Sequence, residues 1–295
     1  NVLSLVQVGD RYWLGGESGI LITDLSGNDE MLIGSGYGLP ADRIQSLYYD
    51  GNGYVWAGTI RSGLYRISTT TYRASRYFRS QNTLENSIND ITGIEDSLWV
   101  ATNGGIFHFI LTTGERKHYT TIDLLPHNKV RSLYRDSSGD IWVATRSNGL
   151  YNLSDQAELQ IDIPSELEFV SLTEDSKGDL WAVTNGDGVF EFKKDSPGYY
   201  STGNGLRSNF GYSIEEDIKG NIWIGHRQGL SRIDPGTGNI EIFSIKQGIL
   251  ADFNEHAVIT TERDKLLFGS SNGIIQYDPS QDKPDTVAPI LNITS

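Results

Sequence analysis

The chain has 295 residues, with 24 Lys and Arg against 38 Asp and Glu, so its formal net charge is −14. Because phosphate contacts need a basic face, this balance argues against a nucleic-acid partner. The absence of Cys excludes a disulfide framework and a Cys nucleophile, and no apolar run of about 18 residues is present to span a bilayer.

One sequence unit recurs along the whole chain, and all six Trp residues lie at the same position in it. After each Trp comes a step of small residues and then a Gly followed by an apolar pair. A seventh copy has the same Gly step, and we assign a Phe to the Trp position in it. Successive copies are 39 to 45 residues apart. The recurring positions are Trp13, Trp56, Trp99, Trp142, Trp181, Trp223 and Phe268.

The first copy starts with the chain, because Asn1 to Val6 is predicted to form its innermost strand. The chain begins with neither Met nor a signal peptide, so we expect a mature fragment or a piece of a longer protein. In copies one and three the first hairpin is shortened, at residues 9–11 and 95–97.

The fourth copy shows most clearly what one unit folds into. Residues 130–134 alternate with period 2, and a turn at 136–140 leads into a second β-rich run at 141–145. A third run covers 150–153, and a weaker fourth covers 158–163. Four short strands per repeat of about 42 residues predict an all-β protein, a single seven-bladed β-propeller with four-stranded antiparallel blades over residues 1–285.

Two recurring features are interpreted structurally. The Trp side chains are predicted to fill the wedges between blades rather than to form a platform for sugar stacking. The Asp-Gly turns that follow each first strand lack the acidic twelfth residue of a calcium loop, so they are interpreted as hairpin turns. They begin at Asp50, Asp136, Asp175 and Asp217. No metal or other cofactor is expected.

The consensus of the copies is apolar-x-Ser-Leu, an acidic residue, Asp-x-x-Gly-x-aliphatic-Trp, Gly-Thr or Ala-Thr, and Gly-Leu-Tyr. It resembles the regulator-propeller repeat of periplasmic sensors in bacterial hybrid two-component systems. Residues 169–192, FVSLTEDSKGDLWAVTNGDGVFEF, match well, and so do 43–67, 130–153 and 212–233. The WD, kelch and sialidase Asp-box repeats fit less well.

The resemblance implies a non-catalytic, periplasmic sensor module of a histidine kinase. Such sensors respond to oligosaccharides released from glycans and work as homodimers, so an oligosaccharide ligand and a second sensor chain are the implied partners. The parent chain would carry the kinase and a DNA-binding response regulator, and it alone would provide contact with the membrane. Residues 286–295 would be a linker or the first strand of an immunoglobulin-like domain.

Closure of the ring is predicted to be unusual, because no spare strand precedes the first copy. The fourth strand of blade seven would then come from the C-terminal tail, with residues near Ile290 to Ile293 pairing with the third strand of that blade. The alternative is a three-stranded last blade with a detached tail.

Propellers bind ligands at the axial mouth, so the loops between second and third strands are predicted to carry the ligand site. The predicted ligand-binding residues are Arg61, Asn103, Arg146, Asn185, His226, Arg227 and Asn272. Connections into the first strands add Asp42, Arg43, His127, Asn128, Arg207, Asn209, Asn254 and Glu255. The three Arg could clamp a carboxylate or sulfate, or they could be solvated or pair with neighbouring acids.

Two other classes of function stay open. A propeller lyase or glycosidase would need acid and base groups at the mouth, and His127, His226 and Glu255 are the candidates. Adjacent carboxylates such as Glu215 and Glu216 are expected to point to opposite sheet faces, so they do not form a catalytic couple. A protein-interaction scaffold would instead expose a contiguous apolar patch.

Overall fold

The computed structural model describes residues 1–24, 26, 30–123, 125–147, 149–153, 157–158, 166–193, 197–244, 248–249 and 251–281. Seven antiparallel sheets follow one another along the chain, and each packs its faces against its neighbours around a ring. The predicted seven-bladed propeller is confirmed. The helical segments of the described residues are short 3₁₀ turns of three or four residues. No helix in this part of the chain is long and apolar enough to cross a membrane.

Strands pair in chain order within each blade, starting from the innermost strand. Blades one and two contain β1 Ser4–Val8, β2 Arg11–Gly15, β3 Ile20–Thr23, β4 Glu30–Ile33, β5 Ile44–Tyr49, β6 Tyr54–Thr59, β7 Leu64–Ser68 and β8 Ala74–Phe78. Blades three and four contain β9 Ile88–Ile94, β10 Ser97–Thr102, β11 Gly105–Ile110, β12 Arg116–Tyr119, β13 Val130–Arg135, β14 Ile141–Thr145, β15 Leu150–Asn152 and β16 Ala157–Glu158.

The later blades repeat this order. Blades five and six contain β17 Phe169–Glu174, β18 Leu180–Thr184, β19 Val189–Phe192, β20 Gly198–Tyr200, β21 Ser213–Glu216, β22 Ile222–His226, β23 Gly229–Ile233 and β24 Ile240–Phe243. Blade seven contains β25 Phe253–Thr260, β26 Leu266–Ser270 and β27 Gly273–Tyr277.

The Trp side chains fill the spaces between blades, as predicted. Trp56 packs on Ile88 and Leu98 of blade three, and Trp181 packs on Ile214 and Ile222 of blade six. Four of the six, Trp13, Trp56, Trp181 and Trp223, are fully buried, so they offer no surface for sugar stacking. Burial of such large apolar faces is the main stabilising interaction between neighbouring blades.

The residue two positions after the Trp packs against the start of the innermost strand of the next blade, and the sizes of the two contacting residues are complementary. Gly58 lies against the innermost strand of blade three, where an added Cβ would come within 2.5 Å of Ile88 Cγ2. Between blades five and six the sizes are exchanged, because Val183 packs against Gly211. Because a protein core is closely packed, the combined volume of the two contacting side chains is constrained at these interfaces, and either residue of the pair can be the Gly.

The Asp-Gly turns do more than the sequence predicted. Oδ1 of Asp175 accepts hydrogen bonds from the backbone N–H groups of Lys177 and Asp179, which is the expected turn geometry. Its Oδ2 accepts a 3.0 Å hydrogen bond from the indole Nε1 of Trp181, six residues later. The same bond joins Asp50 to Trp56, Asp136 to Trp142 and Asp217 to Trp223.

Blade seven corrects the assignment of the seventh repeat. Trp223 is opposite Arg232 in blade six, and the equivalent pair in blade seven is Leu267 and Gln276. Phe268 packs toward blade six, whereas Leu267 packs toward blade one. The repeat was therefore placed one residue too late, because the aromatic residue was taken for the Trp equivalent.

The ring closes through the N-terminal residues. The N–H of Val2 donates to the carbonyl of Ser270 at 2.9 Å, as the N–H of Ile44 does to Gly16 between blades one and two. Asn254 Nδ2 adds a 2.9 Å hydrogen bond to Asn1 Oδ1. Within the described residues blade seven has three strands, and the predicted pairing near Ile290–Ile293 lies outside them, as does the 286–295 segment.

Candidate functional site

A bulge near the start of the innermost strand recurs in five of the seven blades, at the axial mouth. In blades two to five one residue is skipped in the pairing between the first and second strands. A bulge of this kind turns an extra side chain out of the ladder. The skipped residues are Gln45, Asn89, Arg131 and Val170, and Leu3 and Tyr212 occupy the corresponding positions in blades one and six.

Blade seven has a wider bulge than the other blades. Phe253 pairs with Ser270 and Val258 with Phe268, so three extra residues leave the ladder on the innermost strand. One of them, His256, has a φ of 55°, in the left-handed region that few side chains adopt. The bulge places Asn254, Glu255 and His256 at the mouth together.

These bulges enclose a cavity of about 420 Å³ at the axis. Its volume is within the usual range for pockets that bind small molecules. The lining is mostly polar and comes from six of the seven blades. It consists of Leu3, Arg43, Gln45, Ile60, Ser87, Asn89, Asn103, Lys129, Arg131, Tyr212, Phe253, Asn254, Glu255 and His256.

Blade four supplies the cationic side of this cavity. Lys129 and Arg131 line it from the start of β13, two residues apart. Arg146 follows β14, and its N–H donates to the carbonyl of Lys129 at 3.0 Å, so both residues lie at the same edge of the mouth. The Arg146 side chain is exposed, whereas Lys129 is partly buried.

Arg131 is held by two carboxylates. Its Nε donates to Glu168 Oε1 at 2.9 Å, and its Nη1 lies 3.3 Å from Glu255 Oε2 across the axis. Burial alone would raise the pKa of Glu168, but the hydrogen bond from Asn185 and the charge of Arg131 outweigh it and lower that pKa. The charge of Arg131 is therefore largely neutralised within the protein.

Blades two and three supply an amide side. Asn89 Nδ2 donates to Asn103 Oδ1 at 3.0 Å and to the carbonyl of Val130 at 2.6 Å. These bonds fix both side chains at the wall of the cavity. Gln45, from the adjacent bulge, has a buried Oε1 that accepts no hydrogen bond from any described residue.

The seven residues predicted from the sequence are spread more widely than the cavity. Asn103 lines it, and Arg146 lies at its edge beside Lys129. Arg61 and Arg227 are largely exposed and lie 3.4 Å and 3.3 Å from carboxylate oxygens of Asp42 and Asp252. Asn185 donates to Glu168, and Asn272 is in the turn between β26 and β27.

His226 is the most deeply placed of the seven. Its Nδ1 lies 2.8 Å from the carbonyl oxygen of Phe210 and its Nε2 lies 2.9 Å from Ser231 Oγ. Burial lowers the pKa of His226 to about 4. The ring is fully buried and both nitrogens are satisfied, so its position is explained by packing.

Of the wider set drawn from the connections, Arg43, Asn254 and Glu255 line the cavity. Lys129, Gln45 and Arg131 were not singled out from the sequence. The signal that could have found them is their place within the repeat, one or three residues before the Ser or Asp that recurs in the innermost strands of blades one to six. The bulge itself leaves no such mark in the sequence.

The carboxylates of the opposite, hairpin face are used structurally. Glu216 accepts bonds from Ser176 of blade five, whereas Glu215 accepts from Thr260 of blade seven, so the two point to opposite faces as predicted. Asp175, Asp179 and Glu191 lie close together, and Lys193 forms an ion pair with Glu191 there.

Comparison with known proteins agrees with the sequence resemblance. The sequence model of the two component regulator propeller family matches residues 38–61 and 124–147. Histidine kinase P4 of Formosa agariphila is 26% identical over 267 residues. That match covers 83% of this chain but only 19% of the kinase, so the chain spans about a fifth of this relative.

Solved structures share the architecture. The extracellular domain of a protein described as a hybrid two component system of B. thetaiotaomicron superposes with a TM-score of 0.75 at 20% identity, over 92% of this chain and 39% of that one. Virginiamycin B lyase from Staphylococcus aureus, solved with quinupristin, superposes with a TM-score of 0.74 at 14% identity, over 93% of each chain. At such identities these structures show the fold alone.

The predicted resemblance is confirmed: two segments of this seven-bladed propeller match the two component regulator propeller model, and the chain is similar in sequence to a histidine kinase.

Proposed function

We propose that this chain is the ligand-recognition propeller of a two-component sensor histidine kinase and that it binds an oligosaccharide in the axial cavity. The observation that carries the proposal is the cavity itself, which the bulges of a regulator propeller line with amide and charged side chains. Amides such as those of Asn89 and Asn103 both donate and accept hydrogen bonds, as sugar hydroxyls require.

The setting of the module is part of the same proposal. The periplasm is proposed as its location, in line with the extracellular domain that shares its fold. Because the chain spans 19% of the kinase that it matches, the kinase, a response regulator and a sensor homodimer are proposed for the parent protein. Its membrane contact would be through the parent alone. Residues 286–295 are proposed to lead into an immunoglobulin-like domain.

The module is proposed to be non-catalytic. Of the three candidate catalytic groups, His226 is buried with both ring nitrogens bonded, and Glu255 forms an ion pair with Arg131. The third, His127, accepts a hydrogen bond at Nδ1 from the N–H of Lys129. No cofactor is needed for such a role.

A lyase is the second candidate, because Glu255 and His256 stand side by side in the cavity and His256 has a strained backbone. Incubating the protein with a panel of glycans and following unsaturated products by absorbance separates the two. Product that forms with the native chain and is lost in His256→Ala would replace the sensor proposal by the enzyme.

Calorimetry with neutral and acidic oligosaccharides tests the proposed function. We expect binding by at least one class, lost in Gln45→Leu and Asn103→Leu because both substitutions replace polar cavity wall with aliphatic carbon. Lys177→Gln, on an exposed hairpin turn of the other face, is the control and should bind as the native chain does. Binding that survives both cavity variants would show that the ligand lies elsewhere.

A further inference from the structure

Lys129 differs from Arg43 and Arg131, which also line the cavity, and Arg146 beside it differs from Arg61 and Arg227 in the equivalent loops of other blades. Arg43 is 2.9 Å from Glu17, and Arg131 is 2.8 Å from Glu168. Around the rim, Arg61 and Arg227 also face carboxylates. Among the described residues, no carboxylate forms an ion pair with Lys129 or Arg146.

These two residues are neighbours through their backbones. The hydrogen bond from the N–H of Arg146 to the carbonyl of Lys129 ties the two backbones at one edge of the cavity. Burial lowers the pKa of Lys129, the charges of Arg131 and Arg146 lower it further, and the more distant carboxylates of Glu168 and Glu255 oppose the shift without reversing it. An anion bound between the two side chains would relieve this repulsion.

A second observation comes from the amide side. The Oε1 atom of Gln45 is buried at the cavity and accepts no hydrogen bond from the described residues. A buried acceptor without a donor is destabilising, so such an atom marks a place for a ligand donor. A hydroxyl group supplies that donor, whereas a simple inorganic anion such as chloride does not.

We propose that Lys129 and Arg146 bind an acidic group, a carboxylate or a sulfate, of an oligosaccharide whose hydroxyl donates to Gln45 Oε1. The inference rests on the proposed function and adds the class of ligand. Arg presents two parallel N–H donors that match the paired oxygens of either group, and Lys adds a point charge. The ligand is thus a sugar acid or a sulfated sugar rather than a neutral one.

The net charge of the whole chain makes this arrangement specific to the mouth. A protein with a net charge of −14 repels anions over most of its surface, so attraction depends on close contact at this edge. Contacts between charges at a partly solvated site are screened by salt. Binding of an acidic sugar should therefore weaken as salt rises, whereas hydrogen bonding to a neutral sugar should change little.

Calorimetry of the full chain against trigalacturonate, galactose 6-sulfate and neutral galactotriose tests the inference. We expect one of the two acidic probes to bind at least about tenfold more tightly than galactotriose, and the better probe tells carboxylate from sulfate. Lys129→Gln and Arg146→Gln should each weaken that binding about tenfold or more, whereas Lys129→Arg should retain it. Lys177→Gln removes the same charge on the hairpin face and should change nothing.

The outcomes separate the inference from the function on which it rests. Tightest binding of galactotriose, or acidic binding unchanged in Lys129→Gln and Arg146→Gln, would overturn the inference and leave a sugar-binding propeller. An absence of binding by any sugar would overturn the proposed function, and the inference with it. Melting temperatures equal to that of the native chain would show that the variants are folded.

Discussion

The interface between blades five and six and the seam between blades seven and one use the same backbone contacts but different side chains. Between blades five and six, Trp181 fills the wedge and its indole is fixed by Asp175. At the seam, Leu267 takes the place of the Trp. Thr261 takes the place of the Asp, and its Oγ1 accepts from the N–H of Lys265 in the turn.

The two differences at the seam, Leu in place of Trp and Thr in place of Asp, depend on each other. An Asp at this position has one oxygen for the turn and one for the indole, so the carboxylate is fully used only when a Trp follows six residues later. Thr can close the turn but has no second oxygen, and Leu needs none. Where both are present, the Asp and the Trp act as one structural unit, and the seam shows a replacement of both.

The largest difference between the two regions should come from the wedge residues themselves. Trp181→Ala removes a fully buried indole and is expected to lower the free energy of unfolding by about 3–5 kcal/mol, and Leu267→Ala by about 2–4 kcal/mol. Chemical denaturation measures both. Leu32→Ala, at an exposed position on β4, is the control and should stay near the native value. Equal losses at Leu267 and Leu32 would contradict a packed seam.

The hydrogen bond between Asp and Trp can be isolated by a smaller change. Trp181→Phe keeps an aromatic ring but leaves Asp175 Oδ2 without its donor, and we expect a loss of about 2 kcal/mol beyond that of the ring atoms. Trp13→Phe is the matched control, because the residue six positions before Trp13 is Gln7 rather than Asp. The two variants, compared by denaturation, should differ by this amount. The same loss at both would mean that the carboxylate contributes nothing.

Glu215, on the innermost strand of blade six, faces blade seven and should make the stability of the protein depend on pH. Burial raises the pKa of Glu215 to about 7, Thr260 opposes the shift, and the charge of Glu216 adds to it. Because the folded-state pKa lies above the unfolded one, the neutral carboxyl stabilises below about pH 4.5 and the benefit is lost between about pH 4.5 and 7.

Glu215→Gln should remove the loss of stability that the native chain shows as the pH rises from about 4.5 to 7. The variant should match the native chain near pH 4.5 and exceed its free energy of unfolding by about 1–2 kcal/mol at pH 8, measured by denaturation at both values. Glu262→Gln, at an exposed position after β25, should leave the pH dependence unchanged. Parallel curves for Glu215→Gln and the native chain would show that the carboxyl ionises normally in the folded state.

The fold could be predicted from the sequence because each blade repeats the same local signals. Every Asp-Gly turn, every alternating innermost strand and every Trp points to one supersecondary unit, and seven copies leave no other architecture. The error at Phe268 arose where that redundancy failed. With Trp and Asp both absent from blade seven, only strand pairing distinguishes position 267 from position 268.

The site was predicted only in part, for a physical reason. Which residues face the cavity follows from where backbone ladders break, and a one-residue bulge such as that at Gln45 depends on contacts with the neighbouring strand. The Gly and Asn residues of the sequence are enough to predict that a residue such as Arg61 lies in a loop. Their distance from the axis, and a partner such as Asp42, depends on the packed ring.

The tail offers the smallest and most specific test of the seam. β27 is the outermost strand of blade seven within the described residues, and an uncovered strand edge is a site for further pairing. Truncation after Gln281 keeps every described residue, including the hydrogen bond from Lys219 Nζ to the carbonyl of Pro279. If residues near Ile290–Ile293 pair with β27, their removal should lower the free energy of unfolding by about 1–2 kcal/mol, and the melting temperature by a few degrees.

A chain that ends at Thr286 serves as a second truncation, because it also lacks the candidate strand and should melt at the same temperature as the shorter one. A melting temperature equal to that of the full chain would show that the tail closes nothing. The seam between blades seven and one would then be held by the apolar cluster around Val2 and Leu267 and by the N-terminal hydrogen bonds.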